Sequence, residues 1–242
     1  MLTRHARLHP RYVNFFSGSP LNRLAWLRTS QPFLNAIIHA PTTRWLVFNQ
    51  GQPLVQTSAP AAPAASLKQS LVRLTTRDVR PLLGPEPFFS QGQHPGELAP
   101  ADVKTLEAAR LRGAPVAFLG LHETEASFAA ALPSTDFSAQ TDVQTVIANI
   151  KGDAYFSLDV SDVPKEEVNA VLAAAKEARG GAELAFVEPR SAMSNFELFE
   201  SAIFAEARCI IDWNARNKVR LVRQGGDAAR VHLSRPPVDH AR

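Results

Sequence analysis

Apolar residues recur along the chain with two different periods, and each period predicts a different kind of element. The clearest helix is predicted over Pro164–Arg179, because proline suits a first helical turn and a glycine pair follows the last residue. Glu166 and Glu167 stand near the positive end of that helix dipole, which favours negative charge. A longer helix is predicted over Asn195–Asn217.

The longer helix carries an apolar stripe whose members recur every three or four residues. They are Phe199, Ile203, Ala207, Ile210 and Trp213. The spacing predicts that this face is buried, so replacing Trp213 by alanine should cost about 3–5 kcal/mol of stability. Glu197, Glu200 and Glu206 share the helix, and we expect them to form a solvated face.

Shorter apolar runs predict strands. Arg44–Gln56 contains two such runs around Asn49, Gln50 and Gly51, which is typical of a hairpin. The further strands are predicted over Ser70–Thr75, Val116–Leu121 and Tyr155–Val160.

The region that follows the first residues has the signals of a short helix. Ser19 suits an N-cap and Pro20 suits the first helical position. Leu21, Leu24 and Leu27 would then lie on one face of that helix.

Helices and strands are mixed without regular alternation, which favours an α+β fold over a doubly wound sheet. The prediction is a mixed sheet with flanking helices and a long C-terminal helix, in one domain over residues 18–217. Residues 1–17 are expected to form a flexible leader, and residues 218–242 a basic disordered tail. Residues 59–66 and 81–100 predict loops, and residues 101–112 predict a helix.

Charge is unevenly distributed along the chain. From Arg216 onwards there are seven Lys or Arg and two Asp or Glu, so this segment has a net charge of +5. The rest of the chain has a net charge of −2, which gives +3 for the whole chain. The lone Cys209 excludes an internal disulfide and a zinc site built from cysteines alone. Neither a secretory signal nor a C-terminal Ser-Lys-Leu is seen, so a cytoplasmic or peroxisomal location is expected.

Candidate chemistry is sparse. The chain contains neither a glycine-rich phosphate loop nor a dinucleotide-binding glycine turn. His122 and Glu123 begin like a zinc-protease motif, but Ala126 stands where the second histidine is needed, so a surface pair is expected. Glu166 and Glu167 point about 100° apart on their helix, which suits a dipole complement better than a metal site.

Several stretches of the chain resemble eukaryotic NADH pyrophosphatases of the Nudix class, especially fungal ones. The specific stretches are Phe15–Arg28 and Ala202–Asn217, and the looser ones are Thr43–Asn49, Pro115–Leu121 and Tyr155–Val160. Together they cover about residues 15 to 218, which correspond to the amino-terminal domain of the family.

The resemblance implies an activity for the family. Its members hydrolyse the diphosphate of NAD(H) to nicotinamide mononucleotide and AMP with Mg²⁺ or Mn²⁺, and they hold structural Zn²⁺; some relatives remove NAD caps from RNA. The zinc cysteines and the Nudix glutamates follow the amino-terminal domain, which the family uses as a scaffold and dimer partner. This sequence departs from the pattern at Lys218, so no catalytic residue and no metal ligand of the family carries over to any position here.

The leading interpretation is therefore a scaffold and dimerisation domain that is inactive as this isolated chain, pairing as a homodimer or with a full-length partner. Alternatives are a regulatory interaction module, which an exposed apolar patch near residues 196–213 would favour, and a nucleotide or RNA binder that uses the basic tail. Residual hydrolysis is the remaining alternative. A shifted reading frame after about Lys218 is a further hypothesis for the tail.

Overall fold

The computed structural model describes residues 18–25, 27–58, 68–83, 87, 114–123 and 142–216. The predicted leader, the loop at 59–66, the helix at 101–112 and the basic tail lie outside the described residues, as does nearly all of the predicted loop at 81–100. Among the described residues, every helix is too short or too polar to span a membrane.

The described elements alternate irregularly between helix and strand. The helices are α1 (Gln31–Ile37), α2 (Thr76–Val79), α3 (Val143–Asn149), α4 (Lys165–Ala178), α5 (Pro189–Met193) and α6 (Leu198–Arg216), with a 3₁₀ turn over Arg80–Leu82. The strands are β1 (Arg44–Asn49), β2 (Gln52–Ser58), β3 (Lys68–Leu71), β4 (Val116–His122), β5 (Asp153–Asp159) and β6 (Glu183–Phe186).

All six strands belong to one mixed sheet. Its main path has the order β3-β2-β1-β5-β4, and β6 pairs with β2. The pair β1 and β5 is parallel, with Arg44 opposite Tyr155, whereas the other pairs are antiparallel. Since Val55 of β2 is paired with both β3 and β6, these two strands flank β2 on its two edges. The predicted α+β fold with a mixed sheet is confirmed.

The predicted hairpin is present, and its turn has the expected chemistry. Gln50 and Gly51 have φ values of 49° and 75°, as a two-residue turn joining twisted strands requires. A Cβ at Gly51 would lie 2.9 Å from the Arg208 guanidinium carbon, so glycine also lets α6 approach the turn. The Gln50 N–H donates to Ser161 Oγ at 2.7 Å.

The sheet separates two apolar clusters, because successive residues of a strand point to opposite faces. On one face, Trp45 and Val47 pack with side chains of α1 and α4. On the other face, Leu46 and Phe48 pack beneath α6. The fold therefore has helices on both sides of the sheet, with α6 covering one side.

The predicted helix at Ser19 and Pro20 is wrong. The three leucines are buried as expected, but Leu24 has a φ of 43°, and Asn22 forms a strand-like bridge with Leu121. The backbone is therefore held by the edge of β4 instead of by helical hydrogen bonds. The first described helix begins one loop later, where Ser30 Oγ accepts from the N–H of Phe33 and a proline stands in the first turn.

Other boundaries differ by smaller amounts. The predicted strand over Ser70–Thr75 is regular only as far as Leu71, and Leu74 alone makes a further bridge, to Trp45 of β1. The helix predicted over Pro164–Arg179 is α4, in which Pro164 is the N-cap and Gly181 N–H bonds back to the Lys176 carbonyl.

The predicted burial of Trp213 is wrong, since the residue is 63% exposed. The buried stripe of α6 continues from Ile203 and Ala207 to Ile211 instead of turning to Ile210. The residues of α6 that face the sheet therefore recur every four positions. Trp213 lies about 200° around the helix from Ile211 and points away from the sheet. Because the ring is exposed, the large loss of stability expected for Trp213→Ala is wrong as well.

Candidate functional site

Helix α6 is enclosed by protein over residues 200–205. Residues 200–205 are all buried, although consecutive helical residues point about 100° apart. Six such residues cover more than a full turn, so no side of this part of the helix faces solvent. The carboxylates of Glu200 and Glu206 lie in the protein interior, so the expected solvated face is wrong for these two residues.

Glu200 is held at the start of α6 by an arginine from the loop after β3. Glu200 is 6% exposed, and its Oε1 lies 3.5 Å from Arg73 Nη2. Burial raises the pKa of the Glu200 carboxyl, while a hydrogen bond from the Leu71 backbone and the charge of Arg73 partly oppose this rise. The carboxylate thus serves to tie α6 to the β3 region.

Aromatic rings surround the same arginine. The Arg73 guanidinium carbon lies 5.9 Å from the Phe199 ring centroid, within the range of a cation–π contact. Burial also raises the pKa of Tyr155, and a hydrogen bond with Arg73 partly opposes that rise. The His122 ring packs edge-on against Phe199, with centroids 4.6 Å apart. The pair His122 and Glu123 is therefore structural, and Glu123 accepts a hydrogen bond from Asn22 at 3.1 Å.

Glu206 lies six residues further along α6 and has fewer contacts. Its side chain is 10% exposed, and Oε1 lies 3.8 Å from Arg23 Nε, too far for a hydrogen bond. Both carboxylate oxygens are buried without a hydrogen-bond partner. A cavity of about 120 Å³ lies near this part of α6, and among the described residues it is lined by Gly18, Ser19, Ala202, Ala205, Glu206 and Cys209.

A second arginine near Glu206, Arg28, hydrogen-bonds to the backbone of the sheet. Arg28 donates from Nη2 to the Phe118 carbonyl and from Nη1 to the Leu119 carbonyl at 3.4 Å. Burial lowers the pKa of Arg28, and the charge of Arg23 lowers it further, whereas Glu206 raises it. Arg28 therefore covers two backbone acceptors of β4, where the register between Phe118 and Gly120 shifts.

Glu197, the third glutamate of the expected solvated face, is exposed as predicted. Asp212 lies 3.3 Å from Arg208 and 2.8 Å from Arg216 on the exposed end of α6. Glu166 and Glu167 stand in the first turn of α4, as predicted. Among the described residues, no three His, Cys, Asp or Glu side chains are grouped as metal ligands.

A larger open groove of about 660 Å³ lies between α2 and α4. Alanines of α4 form much of its wall, and Arg77, Asp78 and Glu167 contribute charge. Asp78 is already engaged, because it completes the capping box of α2 with Thr75 and lies 3.5 Å from Arg179. The Asp78 carboxylate therefore stabilises the start of α2 and its contact with Arg179.

Two large apolar residues of α6 are strongly exposed, Leu198 at 64% and Trp213 at 63%. They stand fifteen positions apart, which corresponds to about 22 Å along a helix. They therefore do not form the single patch that would favour an interaction module.

Sequence reasoning missed the arginines that organise this region, Arg23, Arg28 and Arg73. They lie in irregular segments without a periodic signal, and their partners are far away in the chain: Arg73 and Glu200 are 127 positions apart. A glutamate followed on the helix by a run of apolar residues, as Glu200 is by Ala202, Ile203 and Phe204, is the one sequence signal that calls for such a partner.

None of the curated proteins matches the chain. A family model, described as NADH pyrophosphatase-like rudimentary NUDIX domain, matches residues 42–213, which is more than half of the chain and runs from just before β1 into the last turns of α6. The chain therefore belongs to the NADH pyrophosphatase-like rudimentary NUDIX domain family.

Proposed function

We propose that this domain serves an NADH pyrophosphatase-like Nudix hydrolase as a scaffold and dimerisation domain, and that it does not itself cleave the NAD(H) diphosphate. The observation that carries the proposal is that the carboxylates of Glu200, Glu206 and Asp212 on α6 each lie within 4 Å of an arginine nitrogen. Glu200 pairs with Arg73, Glu206 lies beside Arg23, and Asp212 lies between two arginines. The first two contacts join α6 to other segments of the chain, whereas the contacts of Asp212 lie within the helix itself.

Hydrolysis of a diphosphate makes different demands on such side chains. Several carboxylates must converge to hold divalent cations, which neutralise the phosphate charge and activate water. A carboxylate that pairs with arginine has its charge compensated already, so a cation would have to displace the arginine first. Under the proposal, Mg²⁺ or Mn²⁺ and structural Zn²⁺ belong to the hydrolase that the domain supports.

The catalytic half of the proposal is tested with the full chain, NADH and Mn²⁺, by chromatography of the products. The expected result is no nicotinamide mononucleotide above a protein-free blank. The variants Glu200→Gln and Glu206→Gln are assayed in parallel, because they would remove activity if either carboxylate bound the metal. Metal-dependent turnover that either variant abolishes would overturn the proposal.

The dimerisation half needs a separate measurement. Sedimentation velocity over a concentration series is expected to show a species of twice the chain mass, or a complex after mixing with a full-length hydrolase of the family. A monomer at every concentration, with no complex in the mixture, would reject dimerisation and leave the non-catalytic assignment standing.

A further inference from the structure

The small cavity beside α6 lies where the described part of the chain begins. Its wall on α6 consists mainly of short side chains, those of Ala202, Ala205 and Cys209. Gly18 and Ser19, the first two described residues, form another part of the wall. Cys209, Gly18 and Ser19 are exposed, so the cavity opens to solvent. These short walls leave room for a larger apolar side chain that enters from outside.

Packing fixes the place from which the preceding residues reach this cavity. Leu21 is buried in the apolar cluster beneath α6. Next to it, Asn22 exchanges two backbone hydrogen bonds of 2.8 Å with Leu121 of β4. Gly18, with a φ of 82°, lies three residues before Leu21 and lines the cavity. Residues 15–17 therefore join the described chain at the mouth of the cavity.

The segment that joins there contains two adjacent phenylalanines, Phe15 and Phe16. Two residues of extended chain span at most about 7 Å, so the Phe16 backbone stays close to Gly18 in any conformation. An apolar cavity of roughly 150 Å³ holds one benzene ring, and the cavity beside α6 has a similar volume of about 120 Å³. Because the ring is tethered next to the cavity, its entry is an intramolecular step at high effective concentration.

We propose that the Phe16 ring docks into this cavity and packs the end of the leader against α6. The volume suits one ring, and successive side chains of an extended segment point to opposite sides, so Phe15 stays outside when Phe16 enters. The docked ring covers Cys209 on the cavity wall. This contact goes beyond the proposed scaffold function and does not depend on dimerisation, since both partners belong to one chain.

Cys209 provides the reporter, because it is the only cysteine of the chain. The rate at which iodoacetamide alkylates it is measured by mass spectrometry in full-length variants. Phe16→Ala should be alkylated about tenfold faster than the natural chain, because burial of one phenylalanine side chain favours the docked state by about that ratio. Phe16→Leu, which keeps an apolar side chain, should stay close to the natural rate. Two matched controls, Phe15→Ala in the leader and Leu198→Ala on the exposed start of α6, should also leave the rate nearly unchanged.

A second measurement needs no substitution and serves if Phe16→Ala does not fold. In the natural chain with labelled alanine methyl groups, nuclear Overhauser effects are expected between the Phe16 ring protons and the methyls of Ala202 and Ala205. The proposal is overturned if these effects are absent, if Phe16→Ala leaves the alkylation rate unchanged, or if Phe15→Ala raises it as much. An alkylation rate of the natural chain that falls as its concentration rises would assign the cavity to a second copy and overturn the proposal as well.

Discussion

Trp45 in β1 and Trp213 on α6 form a matched pair of one buried and one exposed tryptophan. The Trp45 indole is fully buried, stacks on Phe156 with ring centroids 4.9 Å apart, and donates from Nε1 to Thr76 Oγ1 at 2.9 Å. Replacing it by alanine removes the ring from a closed apolar cluster, so we expect a loss of about 3–5 kcal/mol in the free energy of unfolding. Trp213, 63% exposed, should lose less than about 1 kcal/mol on the same replacement.

The two variants are compared by urea unfolding followed by far-ultraviolet circular dichroism, which does not depend on tryptophan fluorescence. For a domain of this size, the Trp45→Ala loss corresponds to a fall in melting temperature of about 6–20 °C. Trp45→Phe, which keeps the stacking but not the hydrogen bond, should fall between the two. The reasoning is refuted if Trp45→Ala costs under about 1 kcal/mol, or if Trp213→Ala costs as much as Trp45→Ala.

Three further substitutions probe other contacts. The pKa of Glu200 is raised above its ordinary 4.5, so the folded state binds the proton more tightly than the unfolded state. The free energy of unfolding of the natural chain, relative to that of Glu200→Gln, should therefore fall as pH rises above about 4.5, as measured by urea unfolding at several pH values. A natural chain that becomes more stable relative to Glu200→Gln as pH rises would contradict this. Gly152→Ala places a Cβ 2.4 Å from the His122 carbonyl oxygen at a φ of 138°, whereas Gly180→Ala meets nothing within 4 Å, so thermal unfolding should show the larger loss for Gly152→Ala. Arg28→Met uncovers two carbonyls of β4 and should cost about 1–3 kcal/mol and increase aggregation in light scattering, while unchanged behaviour would show that water replaces the guanidinium.

Local signals were sufficient where an element is specified by its own residues. The turn at Gln50 and Gly51 needs positive φ at both positions, and the sequence supplies the glycine and a flexible neighbour. Likewise α4 has acidic residues in its first turn and a glycine pair after its end. The mixed α+β architecture followed from the order of such elements.

The remainder depends on contacts that no local pattern encodes. The Ser19-Pro20 signal and the Ser30-Gln31-Pro32 signal look alike, but only the second begins a helix, because the backbone around Asn22 pairs with β4. The burial of Glu200 depends on Arg73, which the fold brings from the loop after β3. Periodicity identified α6 but not its orientation, since the face is chosen by the sheet.

The enclosure of α6 between residues 200 and 205 also limits how the domain can move. A helix covered on every side cannot roll about its own axis or slide without opening the interior around Ile203 and Phe204. Any displacement of its exposed end, where Asp212 lies, must therefore come from bending beyond the enclosed turns or from movement of the whole domain as a rigid body. Because the enclosed turns hold α6 against the sheet, a displacement of the exposed end of the helix would also displace the sheet unless the helix bends.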